Sequence, residues 1–206
     1  MPTPIICLVT GGRGLERPLL ELIAEAAQAG VDLIQIRERR LDDRALADLT
    51  RRAVDASRGT GSRILVNDRV DIALAAHAGG VHLRGDSVAA SRIRALAPDG
   101  FLIGRSVHDP AEAEAVEADG GCDYLVFGTV FPSTSKPSTD PISGPDTLRE
   151  VCARVAIPVL AIGGISIENV SQVAASGASG IAAISLFERG DPIAVTVSTL
   201  RRRFDT

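Results

Sequence analysis

The segment Val159-Leu160-Ala161-Ile162-Gly163-Gly164-Ile165-Ser166 is an unbroken apolar run that ends in paired glycines. Four to eight apolar residues without polar alternation read as a strand covered on both faces, which means a parallel strand flanked by helices. Comparable runs recur at residues 5–10, 33–37, 64–67, 80–83, 101–106, 124–128, 159–163 and 180–185. Each is followed by an amphipathic or Ala-rich stretch with readable helix signals. Pro18 fits the first turn of a helix running to Gly30, and Asp42 caps one ending near Gly59. Asp109-Pro110 and Asp191-Pro192 open two more, and residues 69–77 form a short helix. Eightfold alternation over 206 residues, near the roughly 200 that such folds need, predicts one α/β domain over 1–206: a single (β/α)8 TIM barrel. A doubly wound sheet is the rival. It would place G-x-G-x-x-G after the first strand, whereas Thr10-Gly11-Gly12-Arg13-Gly14 has another spacing and no acidic residue ends the second strand. That glycine segment reads as a turn.

Composition narrows the partners. Hydrophobic residues make up 45% and charged residues 23%, as in ordinary globular domains. Net charge is −4, aromatics are 3% and Trp is absent, so neither a basic surface nor a stacking platform offers itself to nucleic acid. Cys7, Cys122 and Cys152 match neither a disulfide framework nor zinc spacing, and read as small apolar groups in a reducing compartment. With no apolar run near ~20 residues and no basic leader before Ile5, a cytoplasmic protein without a membrane span is expected.

In a barrel of this kind the carboxyl ends of the strands face the active site. Those ends carry Gln35, Arg37 and Arg39; Asn67 and Asp68; His82 and Asp86; Arg105, Ser106 and His108. The long polar loop at 129–145 then adds Ser133, Ser135 and Lys136, the only lysine among 22 lysine and arginine residues. Three hydroxyls beside one ammonium suit a phosphate or diphosphate, and the same segment also reads as a solvated Ser/Pro loop. Gly163-Gly164 and Ile184-Ser185 lie where barrels hold phosphates on backbone N–H groups, although a tight turn also demands glycine. Asn67-Asp68 offers hard oxygens for Mg2+, or a cap for the helix that follows. His82 and His108 read equally as structural hydrogen-bonding groups or proton carriers. A set this basic, with a few carboxylates, suits a phosphorylated substrate and a divalent cation.

Several segments taken together resemble the thiamine phosphate synthase/TenI superfamily. They are Gln35-Ile36-Arg37-Glu38-Arg39, Val66-Asn67-Asp68-Arg69-Val70-Asp71, Gly80-Val81-His82-Leu83, Ile103-Gly104-Arg105-Ser106-Val107-His108, Phe127-Gly128-Thr129-Val130-Phe131-Pro132 and Ala161-Ile162-Gly163-Gly164-Ile165. The resemblance implies a barrel, often oligomeric, that joins hydroxymethylpyrimidine diphosphate to a thiazole phosphate and releases pyrophosphate. It implies that Gln35, Arg37, Arg39 and Asn67 hold the pyrimidine diphosphate, with Arg105 and His108 nearby. Asp68, supported by Asp86, would bind Mg2+. Ser106 and Lys136 would act on the leaving group as the catalytic pair. Ser133, Ser135, Gly163, Gly164, Ile184 and Ser185 would hold the thiazole phosphate.

Two departures bear on activity. His82-Leu83-Arg84-Gly85-Asp86 is one residue shorter than the synthase pattern, which displaces Asp86. In the TenI branch, whose tautomerase moves a proton on the thiazole, a His follows the strand-six Phe-Gly. Here that place is Thr129, which cannot carry a proton near neutral pH. The motif at 35–39, the shortened segment and that at 104–108 look closer to the TenI branch, but the Ser133–Lys136 loop and Asp68 are present and the tautomerase His is not, so the resemblance favours the transferase. The alternatives are a tautomerase using His108 or Glu38, and a non-catalytic barrel that binds phosphorylated ligands.

Overall fold

Residues in the apolar runs alternate between two separate clusters, which is why the runs show no polar alternation. Cys7, Val9, Leu33, Leu65, Tyr124, Val126, Leu160 and Ala182 fill an inner cluster. Their neighbours along the chain, among them Ile6, Leu8, Ile34, Val66, Leu125 and Ala161, pack outward against helices. In this computed structural model, which describes residues 3–11, 18–133, 141–188 and 192–204, the runs become strands. They are β1 (Ile5–Val9), β2 (Leu33–Ile36), β3 (Arg63–Asn67), β4 (Gly80–Leu83), β5 (Leu102–Val107), β6 (Tyr124–Phe127), β7 (Val159–Ile162) and β8 (Gly180–Ala183). Each pairs in parallel with the next, and β8 closes on β1 to complete the barrel.

The helices form where the capping residues allow. Helix α1 (Leu19–Gln28) starts after Pro18 and buries Leu22, Ile23, Ala26 and Ala27, the stripe expected at helical spacing. Helix α2 (Asp43–Ala56) begins at Asp42, whose carboxylate accepts from the Ala45 N–H at 2.8 Å. Helix α3 (Val70–Ala75) is shorter than the expected 69–77 and has no side-chain cap, so Asp68 is not its N-cap. Next come α4 (Ala90–Arg94) and α5 (Pro110–Asp119), the latter capped by Asp109. The chain continues through α6 (Gly144–Arg154), α7 (Val170–Ala175), α8 (Ser185–Glu188) and α9 (Ile193–Phe204). Asp191, expected to open the last helix, lies outside the described residues, as do Gly12, Arg13 and Gly14. Among the described residues no helix is long and apolar enough to cross a membrane.

Candidate active site

Strand parity places the side chains at the mouth. Leu33 and Leu65 fill the inner cluster, and a Cβ on Gly80 or Gly104 would meet inner-cluster side chains, so Gln35, Asn67, His82 and Ser106, two residues further on, point inward as well. These four line a cavity of about 500 Å³ at the carboxyl ends of the strands. Arg37, Arg39, Arg84, Asp86 and His108 stand around it, and Val9, Val126, Ile162, Ile165 and Ala182 supply apolar wall.

The same parity corrects one expectation. Arg105 lies one residue from Gly104 and Ser106, faces away from the barrel axis and does not line the cavity. Its guanidinium donates to the carbonyls of Val88 (3.0 Å), Gly85 (2.7 Å) and Ser87 (2.9 Å). Arg105 therefore holds the segment that carries Asp86 in place and does not contact a ligand in the cavity.

The polar floor is cross-linked. Gln35 Nε2 donates to Asn67 Oδ1 at 2.9 Å, which turns the Asn67 amide nitrogen to other partners. Thr10 Oγ1 accepts from the Arg37 N–H at 2.8 Å and fixes the exit of β2. Arg37 is lowered from the usual guanidinium value, chiefly by burial and then by the Arg39 charge, while Glu38 works in the opposite direction. Two like charges in one partly dry cavity repel until an anion arrives between them.

His82 is 3% exposed, and burial alone lowers it to about 4, so its ring is neutral near pH 7. Nδ1 lies 3.1 Å from the Tyr124 hydroxyl, and Nε2 lies 2.9 Å from Ser106 Oγ. Both ring nitrogens of His82 are thus engaged by side-chain partners. His108 sits higher, with Nδ1 2.8 Å from the Gly128 carbonyl oxygen and its backbone N–H on Glu112. The carbonyl can only accept, so Nδ1 carries a proton, and Nε2 is the nitrogen that holds the lone pair in the neutral form of the ring.

Asp68 adopts a left-handed backbone at φ 61° and accepts a hydrogen bond from Ser87 Oγ. Its other oxygen is 3.6 Å from Arg84, whose guanidinium also pairs with Asp86. The shortened segment thus brings both carboxylates to one cation. Among the described residues no group of three or more His, Cys, Asp or Glu converges, so no all-protein cage exists. Asp86 lines the cavity, whereas Asp68 does not line it and is tied to Asp86 through Arg84; one or two carboxylates plus substrate phosphates is how Mg2+ is commonly held. The residues present fit the ion, provided Arg84 swings aside.

Gly163, Gly164, Ile184 and Ser185 line the opposite side, together with Ser133. Here glycine is needed for packing: a Cβ on Gly164 would meet the Pro132 carbonyl oxygen at 2.3 Å and that of Phe131 at 2.7 Å. The Phe131 N–H donates to Gly163 O at 3.0 Å, which joins the two loops. Asn169 completes the turn, accepting from the Ser166 N–H and donating to Gly164 O, each at 2.8 Å. The sequence reading missed Asn169, Tyr124 and Arg84. Only Arg84 carried a signal, as the odd residue in the shortened segment. Ser135 and Lys136 lie outside the described residues.

Fold and site define a (β/α)8 barrel with a cavity at its mouth lined by arginines, polar side chains and apolar wall. The profile of the thiamine monophosphate synthase family matches residues 6–187, and the chain belongs to that family of transferases. It is 39% identical to the thiamine-phosphate synthase of Methanocella arvoryzae, across 92% of this chain and 88% of the relative. Identity is also 39% with the thiamine-phosphate synthase of Methanoregula boonei, covering 100% of this chain and 95% of that one. A thiamine phosphate pyrophosphorylase structure from Pyrococcus furiosus superposes with TM-score 0.85 at 32% identity, covering 98% of this chain and 95% of the other.

Proposed function

We propose that this chain joins hydroxymethylpyrimidine diphosphate to thiazole phosphate, releasing pyrophosphate and forming thiamine phosphate. The observation that carries it is the cavity itself. Arg37, Arg39 and Arg84 line it with a single carboxylate, Asp86, together with Gln35, Asn67, Ser106 and apolar wall for two flat rings. In a dissociative displacement the diphosphate departs with its electron pair and the pyrimidine methylene carbon becomes cationic; the thiazole nitrogen then donates its lone pair to that carbon. Negative charge grows on the leaving oxygen, and preorganised donors in a low-dielectric site stabilise it most. Arg37, Arg39 and Ser106 are those donors, joined by Lys136. The Asn67 amide, oriented by Gln35, meets the pyrimidine edge. The backbone at Gly164 and Ile184-Ser185 takes the thiazole phosphate, with Ser133 beside it; Ser135 and Lys136, outside the described residues, have the roles that the family resemblance implies.

Asp68 and Asp86 would hold Mg2+. Bound there, the ion would neutralise diphosphate charge as a Lewis acid. Arg84, which lines the cavity beside Asp86, would turn to the diphosphate.

The test is product analysis with both phosphorylated precursors and Mg2+. Thiamine phosphate and pyrophosphate in equal amounts are expected. Metal-independent isomerisation of the thiazole alone would instead point to His108 Nε2 as a base, and binding without product would leave a non-catalytic barrel. Either result overturns the proposal.

A further inference from the structure

We propose that Tyr124 sets the tautomer of His82 and so leaves the Ser106 hydroxyl proton free to donate into the cavity, where the leaving group sits. Tyr124 is thus a positioning residue, acting through His82 on Ser106. The identity of the anion rests on the transferase reading; the tautomer does not.

The argument is a count of protons. A neutral imidazole offers one N–H and one lone pair. Tyr124 is 3% exposed, and its hydroxyl has Nδ1 of His82 as its hydrogen-bond partner, while Ser106 Oγ faces Nε2. In one arrangement Nδ1 carries the proton. It donates to the phenol oxygen, the Ser106 O–H donates to Nε2, and the buried phenol proton has no acceptor. Ser106 then shows the cavity only lone pairs, which an anion rejects. In the other arrangement the phenol donates to Nδ1, Nε2–H donates to Ser106 Oγ, and the Ser106 proton points into the cavity. Every buried donor is satisfied only in the second, and unsatisfied buried donors are what folded proteins avoid. A serine oxygen that accepts from an N–H is also the better donor, because the bonds polarise one another.

The space for the phenol is provided by the neighbouring strand β5, where Gly104 pairs with Tyr124. A Cβ on residue 104 would stand 2.0 Å from Tyr124 Cζ and 2.4 Å from its hydroxyl oxygen, so Gly104 makes room for that ring. Burial also keeps the phenol protonated, well above its ordinary value.

Nitrogen NMR on protein labelled at histidine tests the proposal directly. The His82 resonances should show a pyrrole-type Nε2 and a pyridine-type Nδ1; the opposite assignment overturns the proposal without any variant or activity measurement. In kinetics, Tyr124→Phe keeps the ring and removes the donor. It should lower kcat about tenfold with KM little changed, a fraction of the 10²–10³ typical of losing one oxyanion donor outright. Placed on Ser106→Ala, the same change should cost less than about twofold, because the group it acts through is gone. Equal losses in both backgrounds would mean that Tyr124 only supports packing, and would overturn the proposal. If no transferase activity is found at all, the NMR assignment still decides the tautomer.

Discussion

Gly164→Ala, set beside Gly30→Ala, separates a conformational need for glycine from a packing need. Both glycines have left-handed backbones, φ +63° and +83°. A Cβ on Gly30 meets nothing within 4 Å, whereas one on Gly164 lands 2.3 Å from the Pro132 carbonyl oxygen. Adding a Cβ in the left-handed region costs about 1 kcal/mol, which is all that Gly30→Ala should lose. Gly164→Ala bears that cost plus overpacking against backbone that cannot rotate away, about 2 kcal/mol more. For a chain of this size each kcal/mol shifts Tm by about 2–4 °C, so losses near 3 °C and 9 °C are expected. Urea unfolding should give the same ranking with unchanged m-values. Calorimetric titration with thiazole phosphate should show weakened binding only for Gly164→Ala, because the Phe131–Pro132 segment must move. Equal Tm losses would refute the packing argument, and a folded Gly164→Ala protein that binds normally would remove Gly164 from the phosphate site.

The remaining predictions concern pH, a cap and the lone lysine. Burial lowers His82 from 6.5 to about 4, so between those values the unfolded chain takes up a proton that the folded chain refuses. Stability from this group is full above pH 6.5 and falls as pH drops toward 4, by up to about 3 kcal/mol; denaturation of His82→Gln across that window should show a flatter acid limb. Asp42→Ala removes the 2.8 Å bond to the Ala45 N–H and should cost about 1 kcal/mol, visible as a small Tm loss with kcat/KM unchanged. Lys136→Ala should lower kcat by about 10²–10³ with Tm unmoved, and Lys136→Arg should recover only part, since a planar fork replaces a point charge. Turnover like the parent's in both Lys136 variants would make the lysine incidental.

What the sequence by itself determined is the barrel and the list of residues at its mouth. Apolar runs such as Val159–Ile162 announce parallel strands because they must be covered on both faces, and a helix cap like Asp42 is a local hydrogen bond readable without the fold. The residues at strand ends follow from the fold class, so Gln35, Arg37, Asn67 and Ser106 could be named in advance, and they line one cavity. Arg105 shows where this stops. Its type and place suggested a ligand, but a side chain's face is set by strand register, and one residue of parity turns it onto the carbonyls of Gly85, Ser87 and Val88. Contacts between strands distant in sequence were likewise invisible: Tyr124 below His82, Arg84 between Asp68 and Asp86, and the backbone of 131–132 against Gly164. Local patterns carry propensity and burial, which act between near neighbours. Hydrogen-bond partners and close packing arise only when the closed barrel brings separate strand ends to one mouth, and there only tertiary structure decides.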